Sequence, residues 1–273
     1  MESGNQEKST DPAQYPVAVR DLSWSYGGRR VLSDITLSFE EGKLYSIIGP
    51  NGSGKTTLLR NIAKSLEPAA GSVFLNGTDI MDLSTRDVAG KLSVVPQNTY
   101  IDFDFTVRDI VLMGRNPYIR RLRSESREDM AAAEHAMRLT NTWDFRGKSI
   151  NEVSGGERQR ALVARALAQD TAVMLLDEPV SQLDLHHQIE LMDMVRSLTQ
   201  DRKRTVISVM HDLNLAARYS DFLILLNEGR IVCQGTPWQV LTRKNIETVY
   251  RLDSCIVNNP VTGKPYIIYA KGI

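Results

Sequence analysis

The chain is poor in cysteine. Cys233 and Cys255 are the two present among 273 residues; they form no CxxC pair and stand near no histidine cluster of metal-ligand spacing. A disulfide framework and a cysteine zinc site are thereby argued against, and reduced thiols in a reducing compartment are expected. Long apolar runs are also lacking: "AVMLL" (Ala172 to Leu176) and "FLILL" (Phe222 to Leu226) stop at about five residues, against the ~20 of a membrane-crossing helix. Membrane association must then go through a partner. Charge of one sign is not in excess, since Lys plus Arg and Asp plus Glu stand at 33 each. No global basic field draws nucleic acid, so no nucleic-acid partner is expected, and the local patch "RRLRSESR" (Arg120 to Arg127) reads as solvated surface. The opening "MESGNQEKSTDPAQ" has neither the basic n-region nor the apolar h-region of an export signal. Residues 1–15 are expected to be a disordered polar leader on a cytoplasmic chain.

What is there is a periodic α/β pattern in a chain long enough to bury a large core. "VAVRDLSWSY" (Val17 to Tyr26) and "VLSDITLSF" (Val31 to Phe39) flank Gly27-Gly28 and predict a β-hairpin or meander. "LYSIIG" (Leu44 to Gly49) predicts a buried strand, followed by a glycine-rich loop and a helix with Leu58, Leu59, Ile62 and Leu66 on its apolar face. "SVFLNGTDI" carries an Asn-Gly turn, and "LSVVPQ" (Leu92 to Gln97) is a further strand. Helical pattern occupies Thr106 to Leu167, opening on Thr106 and Asp109 at the spacing of a capping box. "AVMLLDEP" and "TVISVMHD" (Thr205 to Asp212), with a helix between them, are apolar runs ending in polar groups, as buried parallel strands with functional C-terminal ends do. "FLILLNEGRIV" is a last hairpin, and peripheral helices with one short strand follow Thr236. The fold class is thus α/β: a phosphate-loop core with a mostly parallel sheet, an antiparallel β-subdomain and an inserted helical subdomain at about residues 98–167, the main domain running over 16–244 and an extension over 245–273.

"GPNGSGKT", Gly49 to Thr56, fits G-x-x-x-x-G-K-[ST] between a strand and a helix, the context that a phosphate-binding loop needs. Gly49, Pro50, Asn51, Gly52, Ser53, Gly54, Lys55, Thr56 and Thr57 form the cradle, the glycines letting successive backbone N–H groups point inward. Lys55 reaches the terminal phosphates, and Thr56 offers its hydroxyl to Mg²⁺. A carboxylate must hold the metal from the other side, and Asp177, ending a buried strand in "LLDEP", is placed for it. Glu178 beside it is the candidate general base for an attacking water. His211 ends the next strand and can donate to a γ-phosphate. In "VSGGERQRALVARAL" (Val153 to Leu167), Ser154, Gly155 and Gly156 open a helix whose free N–H groups and dipole form a second anion site. The two sites serve different ligands, or meet on one ligand when two molecules pair.

The phosphate loop, "VVPQ", "VSGGERQR", "LLDEP", "SQLD" (Ser181 to Asp184) and "MHD", in this order over about Val17 to Val240, resemble an ABC transporter ATPase subunit. That resemblance implies ATP and Mg²⁺ as ligands and a head-to-tail dimer in which Ser154, Gly155 and Gly156 of one copy face the ATP on the other's phosphate loop. It further implies that Tyr26 stacks on adenine, that Gln97 touches Mg²⁺ and senses a transmembrane permease, and that Asp184 lies at the dimer interface. Gln182 stands where a small residue is usual in "SQLD", and Val180 where threonine is. His186 and His187 read as surface residues. "FTVRDIVLMGRNPY" (Phe105 to Tyr118), "HDLNLAARYSD" (His211 to Asp221) and "NPVTGKPYII" (Asn259 to Ile268) resemble importer ATPases for iron-siderophore, haem and cobalamin. The resemblance implies a peripheral motor on the cytoplasmic face of the membrane that powers uptake of a metal chelate, delivered to the permease by an extracytoplasmic binding protein. Soluble relatives acting on DNA or ribosomes fit less well, because the chain has one cassette and only about a hundred residues between phosphate loop and signature.

Overall fold

The computed structural model describes residues 11–97, 103–119, 124–201 and 204–272. Most of the expected leader, the start of the expected helical insertion and Arg120 to Arg123 of the basic patch lie outside them. Pro12–Gln14 form one 3-10 turn capped by Asp11 and lead into β1 (Val17–Tyr26) and β2 (Arg29–Phe39). These pair antiparallel across Gly27 and Gly28, whose φ angles of 52° and 84° suit a left-handed turn. β3 (Leu44–Ile48) runs through the phosphate loop into α1 (Lys55–Ile62). β4 (Val73–Leu75) and β5 (Thr78–Asp79) are joined at Asn76 and Gly77, both at positive φ as a two-residue hairpin requires.

After α2 (Thr85–Lys91) and β6 (Leu92–Val95) come three helices, α3 (Val107–Leu112), α4 (Arg127–Leu139) and α5 (Gly155–Ala168). Each of the three opens on a reciprocal capping box, Thr106 with Asp109, Ser126 with Asp129 and Ser154 with Glu157, so their orphan N–H groups are met within the sequence itself. Between α3 and α4, Gly114 crosses α5 so closely that a Cβ there would fall 2.1 Å from the Arg165 carbonyl oxygen. Arg115 then ties the three helices, pairing with Asp129 at 2.9 Å and donating to the Ala168 carbonyl at 2.8 Å. The chain continues through β7 (Val173–Asp177), α6 (Leu185–Asp201), β8 (Thr205–Val209), α7 (Leu213–Tyr219), β9 (Phe222–Asn227), β10 (Arg230–Gly235), α8 (Pro237–Val240), α9 (Arg243–Tyr250), β11 (Leu252–Asn258) and β12 (Pro265–Gly272).

Three sheets result. An antiparallel sheet has the order β2-β1-β4-β5, the central one β10-β9-β3-β8-β7-β6, and β11 pairs with β12 alone. In the central sheet β9, β3, β8, β7 and β6 are parallel and β10 is the antiparallel edge. The sheet divides two cores, and β7 shows how: Val173 and Leu175 enter the one shared with the antiparallel sheet and α1, Met174 and Leu176 the one shared with the helices. A strand buried on both faces is apolar throughout, which is why "AVMLL" does not alternate.

Two expectations are corrected. Leu66 is not on the face of the loop helix: α1 ends at Ile62, and Lys64 takes a left-handed φ of 53° that stops it. The region after Thr236 holds two paired strands rather than one. β11 reads "LDSCIVN", with burial that does not alternate, so it lacks the period that would announce a strand.

Candidate active site

The phosphate loop takes its shape from a neighbouring strand. Gly49 has φ 151°, and a Cβ on it would stand 2.0 Å from the Leu226 carbonyl oxygen of β9. Gly54 has φ 104°, with a Cβ landing 2.8 Å from Leu32 Cδ2. Ser53 accepts from the Gly229 N–H at 3.0 Å. Lys55 is buried, and its Nζ donates to the Gly49 and Pro50 carbonyls at 2.9 Å each. Burial pulls the Lys55 pKa down, against the attraction of Glu178 and Asp177.

A cavity of about 190 Å³ is lined by Val31, Asn51, Gly52, Gly54, Lys55, Thr56, Thr57, Glu178 and His211. The sequence-predicted loop, base and histidine therefore share one space. Asp177 lies beside it: it is buried at the end of β7 and accepts from Thr56 Oγ1 at 3.1 Å. Burial raises its carboxyl pKa, the Thr56 hydrogen bond lowers it, and Glu178 raises it further. A hydroxyl and a carboxylate meeting on adjacent elements form a hard oxygen donor pair that suits Mg²⁺.

Glu178 is held from both sides. Its Oε2 accepts from Gln97 Nε2 at 2.5 Å, and its Oε1 meets His211 Nε2. The Glu178 side chain is 12% exposed and that of His211 40%, so the carboxylate is sheltered while the imidazole faces outward. The backbone of Glu178 is left-handed at φ 51°, with its N–H bound to the Val209 carbonyl at 3.1 Å. A side-chain-bearing residue held there stores of order 1 kcal/mol or more, a pattern found at functional sites.

Tyr26, Ser154, Gly155, Gly156 and Asp184 are not among the residues lining this cavity. Tyr26 ends β1, 44% exposed, edge-on to Trp24 with ring centroids 6.0 Å apart. Ser154 caps α5: its Oγ accepts from the Glu157 N–H at 3.2 Å, and Glu157 accepts from the Ser154 N–H at 2.8 Å. A Cβ on Gly155 would meet nothing within 4 Å, and one on Gly156 would make only ordinary contacts with His187 and Leu183. Among the described residues nothing requires glycine at either place. Asp184 is exposed and accepts from the His187 backbone N–H at 3.0 Å, with His187 Nδ1 at 2.8 Å. Among the described residues no group of three or more His, Cys, Asp or Glu is arranged to hold a metal.

Reading the sequence missed Tyr250. Its hydroxyl is buried next to the backbone of Gly49, and burial raises its pKa. No motif marks it, because it reaches the loop from α9, at the far end of the chain.

Residues 32–181 match the family model for ABC transporters. Over 247 residues the chain is 40% identical to the ferric enterobactin transport ATP-binding protein of Escherichia coli (strain K12), covering 90% of this chain and 91% of that protein. A solved chain described as a metal-chelate type ABC transporter in an inward-facing conformation superposes with TM-score 0.82 at 25% identity, over 94% of this chain and 98% of the other. A dimeric ATP-binding cassette in a post-hydrolysis state, bound to ADP and Pi, superposes with TM-score 0.70 at 27% identity, over 81% and 98%. The chain belongs to the ABC transporter family and is an ATP-binding, ATP-hydrolysing subunit of it. Among the described residues no helix is long and apolar enough to cross a membrane.

Proposed function

We propose that this chain is the motor of an importer for a metal chelate, with a ferric siderophore as the favoured cargo, seated on the cytoplasmic side of a membrane permease that an extracytoplasmic binding protein supplies. The observation that carries the motor reading is the convergence on Glu178 of Gln97 and His211, at the edge of a cavity walled by Lys55 and the phosphate loop. The cargo reading is supported by the enterobactin-transport relative and the metal-chelate neighbour.

In this reading Lys55 leaves the Gly49 and Pro50 carbonyls to bind the terminal phosphates of ATP, and the loop N–H groups orient them. Tyr26 stacks on the adenine. Thr56, Asp177 and Gln97 would hold Mg²⁺, which when bound neutralises charge on the phosphates. Glu178 accepts a proton from the attacking water, and His211 donates to the γ-phosphate as charge develops there. Among the described residues no neighbour requires glycine at the start of α5, which supports the closing of Gly155 and Gly156 on the ATP of a second copy, with Ser154 contributing its hydroxyl and Asp184 at the rim. Closure of the pair drives the permease, and hydrolysis resets it.

The test is uptake of labelled ferric siderophore under iron starvation by cells whose only copy carries Glu178→Gln, alongside ATP hydrolysis by the purified variant. Loss of both supports motor and cargo together. Loss of hydrolysis with normal ferric siderophore uptake removes that cargo and turns the assay to haem and cobalamin; normal hydrolysis removes Glu178 as the base.

A further inference from the structure

Helix α7 follows His211 and its cap Asp212, and is fastened at its first turn by β12 and just past its end by Lys264, the residue before β12. At its first turn, Asn214 Nδ2 donates to the Ile267 carbonyl at 3.1 Å while Asn214 Oδ1 accepts from the Ile267 N–H at 2.7 Å. β12 has β11 on one side only, so the side-chain amide of Asn214 takes the place that the peptide group of a third strand would have on its free edge. Beyond the last turn, Lys264 Nζ donates to the Ser220 carbonyl at 3.1 Å. Ahead of both fastenings Asp212 caps the helix, its Oδ1 accepting from the Asn214 N–H at 2.8 Å and the Leu215 N–H at 2.9 Å. The side chain of Ile267 is buried in the core that holds the helices, so its backbone is a fixed anchor rather than a loose edge. Two stretches of the sequence that the hydrolytic site, His211 apart, does not absorb, "HDLNLAARYSD" and "NPVTGKPYII", are thus the two halves of one joint.

We propose that Asn214 is a positioning residue for ATP hydrolysis: through its paired hydrogen bonds to Ile267 it fixes the start of α7, and with it the placement of His211 on Glu178, making the β11–β12 hairpin part of the hydrolytic apparatus. The inference rests on the reading of His211 given above. The physical ground is that His211 is 40% exposed and has Glu178 as its side-chain partner, so its backbone is what sets its direction. That backbone is continuous with the capped turn that Asn214 holds. None of the hydrogen bonds of the joint reaches the phosphate loop or Tyr26, so it is expected to govern the rate of reaction and not the affinity for ATP. Displacement of a reacting group by about 1 Å costs up to roughly a hundredfold in rate.

The experiment compares the full-length chain with Asn214→Ala, His211→Ala and the double variant, measuring single-turnover ATP hydrolysis and, separately, the Kd for ATP. Asn214→Ala is expected to slow hydrolysis roughly tenfold with Kd changed less than about twofold, and to slow the His211→Ala protein less than about twofold, because both changes then act through one group. Lys264→Gln, which cuts the other fastening at a half-buried site, is expected to show the same pattern at smaller amplitude and serves where Asn214→Ala does not fold. A wild-type rate for Asn214→Ala, an equal slowing in the His211→Ala background, or a loss of ATP affinity matching the loss of rate overturns the proposal. A wild-type rate for His211→Ala alone instead brings down the reading of His211 on which it rests.

Discussion

The hydroxyl of Thr56, in the first turn of α1, donates a 3.1 Å hydrogen bond to Asp177 Oδ1 at the end of β7. The bond joins the phosphate loop to the strand that carries the candidate base, and it holds a carboxylate whose pKa burial has raised. A raised carboxylate pKa means that the ionised form is disfavoured in the folded chain. Ionised Asp177 therefore costs stability at neutral pH, and that cost fades as pH falls through the folded pKa. Asp177→Asn should raise Tm at pH 7 by roughly 2–4 °C per kcal/mol relieved, with the two proteins converging in acid, while Mg²⁺-dependent hydrolysis is lost. Calorimetry against pH with a parallel ATPase assay checks both; a lowered Tm at pH 7 contradicts the account.

Replacing Glu178 by glutamine keeps the shape of the side chain and its acceptor for Gln97 but removes the base. Hydrolysis should fall by about 10²–10⁴-fold with ATP affinity retained. In the presence of ATP the variant should accumulate as a pair of chains in sedimentation, since the step that separates them is blocked. A monomer at saturating ATP argues against the two-copy site.

Gly155→Val tests why α5 opens on glycine. A Cβ at that position meets nothing within 4 Å among the described residues, so the folded monomer should change by less than about 1 kcal/mol, as other exposed substitutions do. ATP binding by the monomer should persist, whereas pairing and hydrolysis should be lost. Urea unfolding and nucleotide titration separate these outcomes, and retained hydrolysis would show that no second molecule approaches.

Asp221 offers a stability prediction away from the chemistry. It receives two hydrogen bonds from Arg196, at 2.6 and 2.9 Å, and one from the Leu44 N–H at 2.9 Å. Burial pushes its pKa up, but these donors outweigh burial and the pKa is lowered. A lowered carboxylate pKa gives stability that is full above the unfolded value of ~3.9 and lost as pH falls through the folded one. Asp221→Asn should cost about 2–4 kcal/mol at pH 7, and the gap to wild type should close in strong acid. Urea unfolding at pH 7 and pH 3 reads it directly.

Much of the site is legible in the sequence because its parts sit at the ends of periodic elements. Asp177 and His211 follow apolar strands, Ser154 and Thr106 show their capping partners three residues on, and "GPNGSGKT" is bounded by a strand and a helix. Less legible is whatever depends on contacts between distant segments. Nothing local predicts that Glu178 adopts a left-handed backbone, that Gly114 is a glycine because Arg165 passes over it, or that Asn214 binds Ile267. Leu66 has the spacing of a helical face, while the left-handed conformation of Lys64, which ends the helix before it, has no strong sequence mark.

Gly49, whose Cβ position is filled by the Leu226 carbonyl, also sets an order of assembly. The cradle for the phosphates is contiguous in sequence but its back wall belongs to β9, and its floor at Ser53 is bonded to Gly229 in the turn after it. A chain emerging from the ribosome has made the whole motif long before it has made that wall. Contacts of such separation form late and slowly, so nucleotide binding is a property acquired near the end of synthesis, and an N-terminal fragment that stops short of β9 would carry the motif without the site.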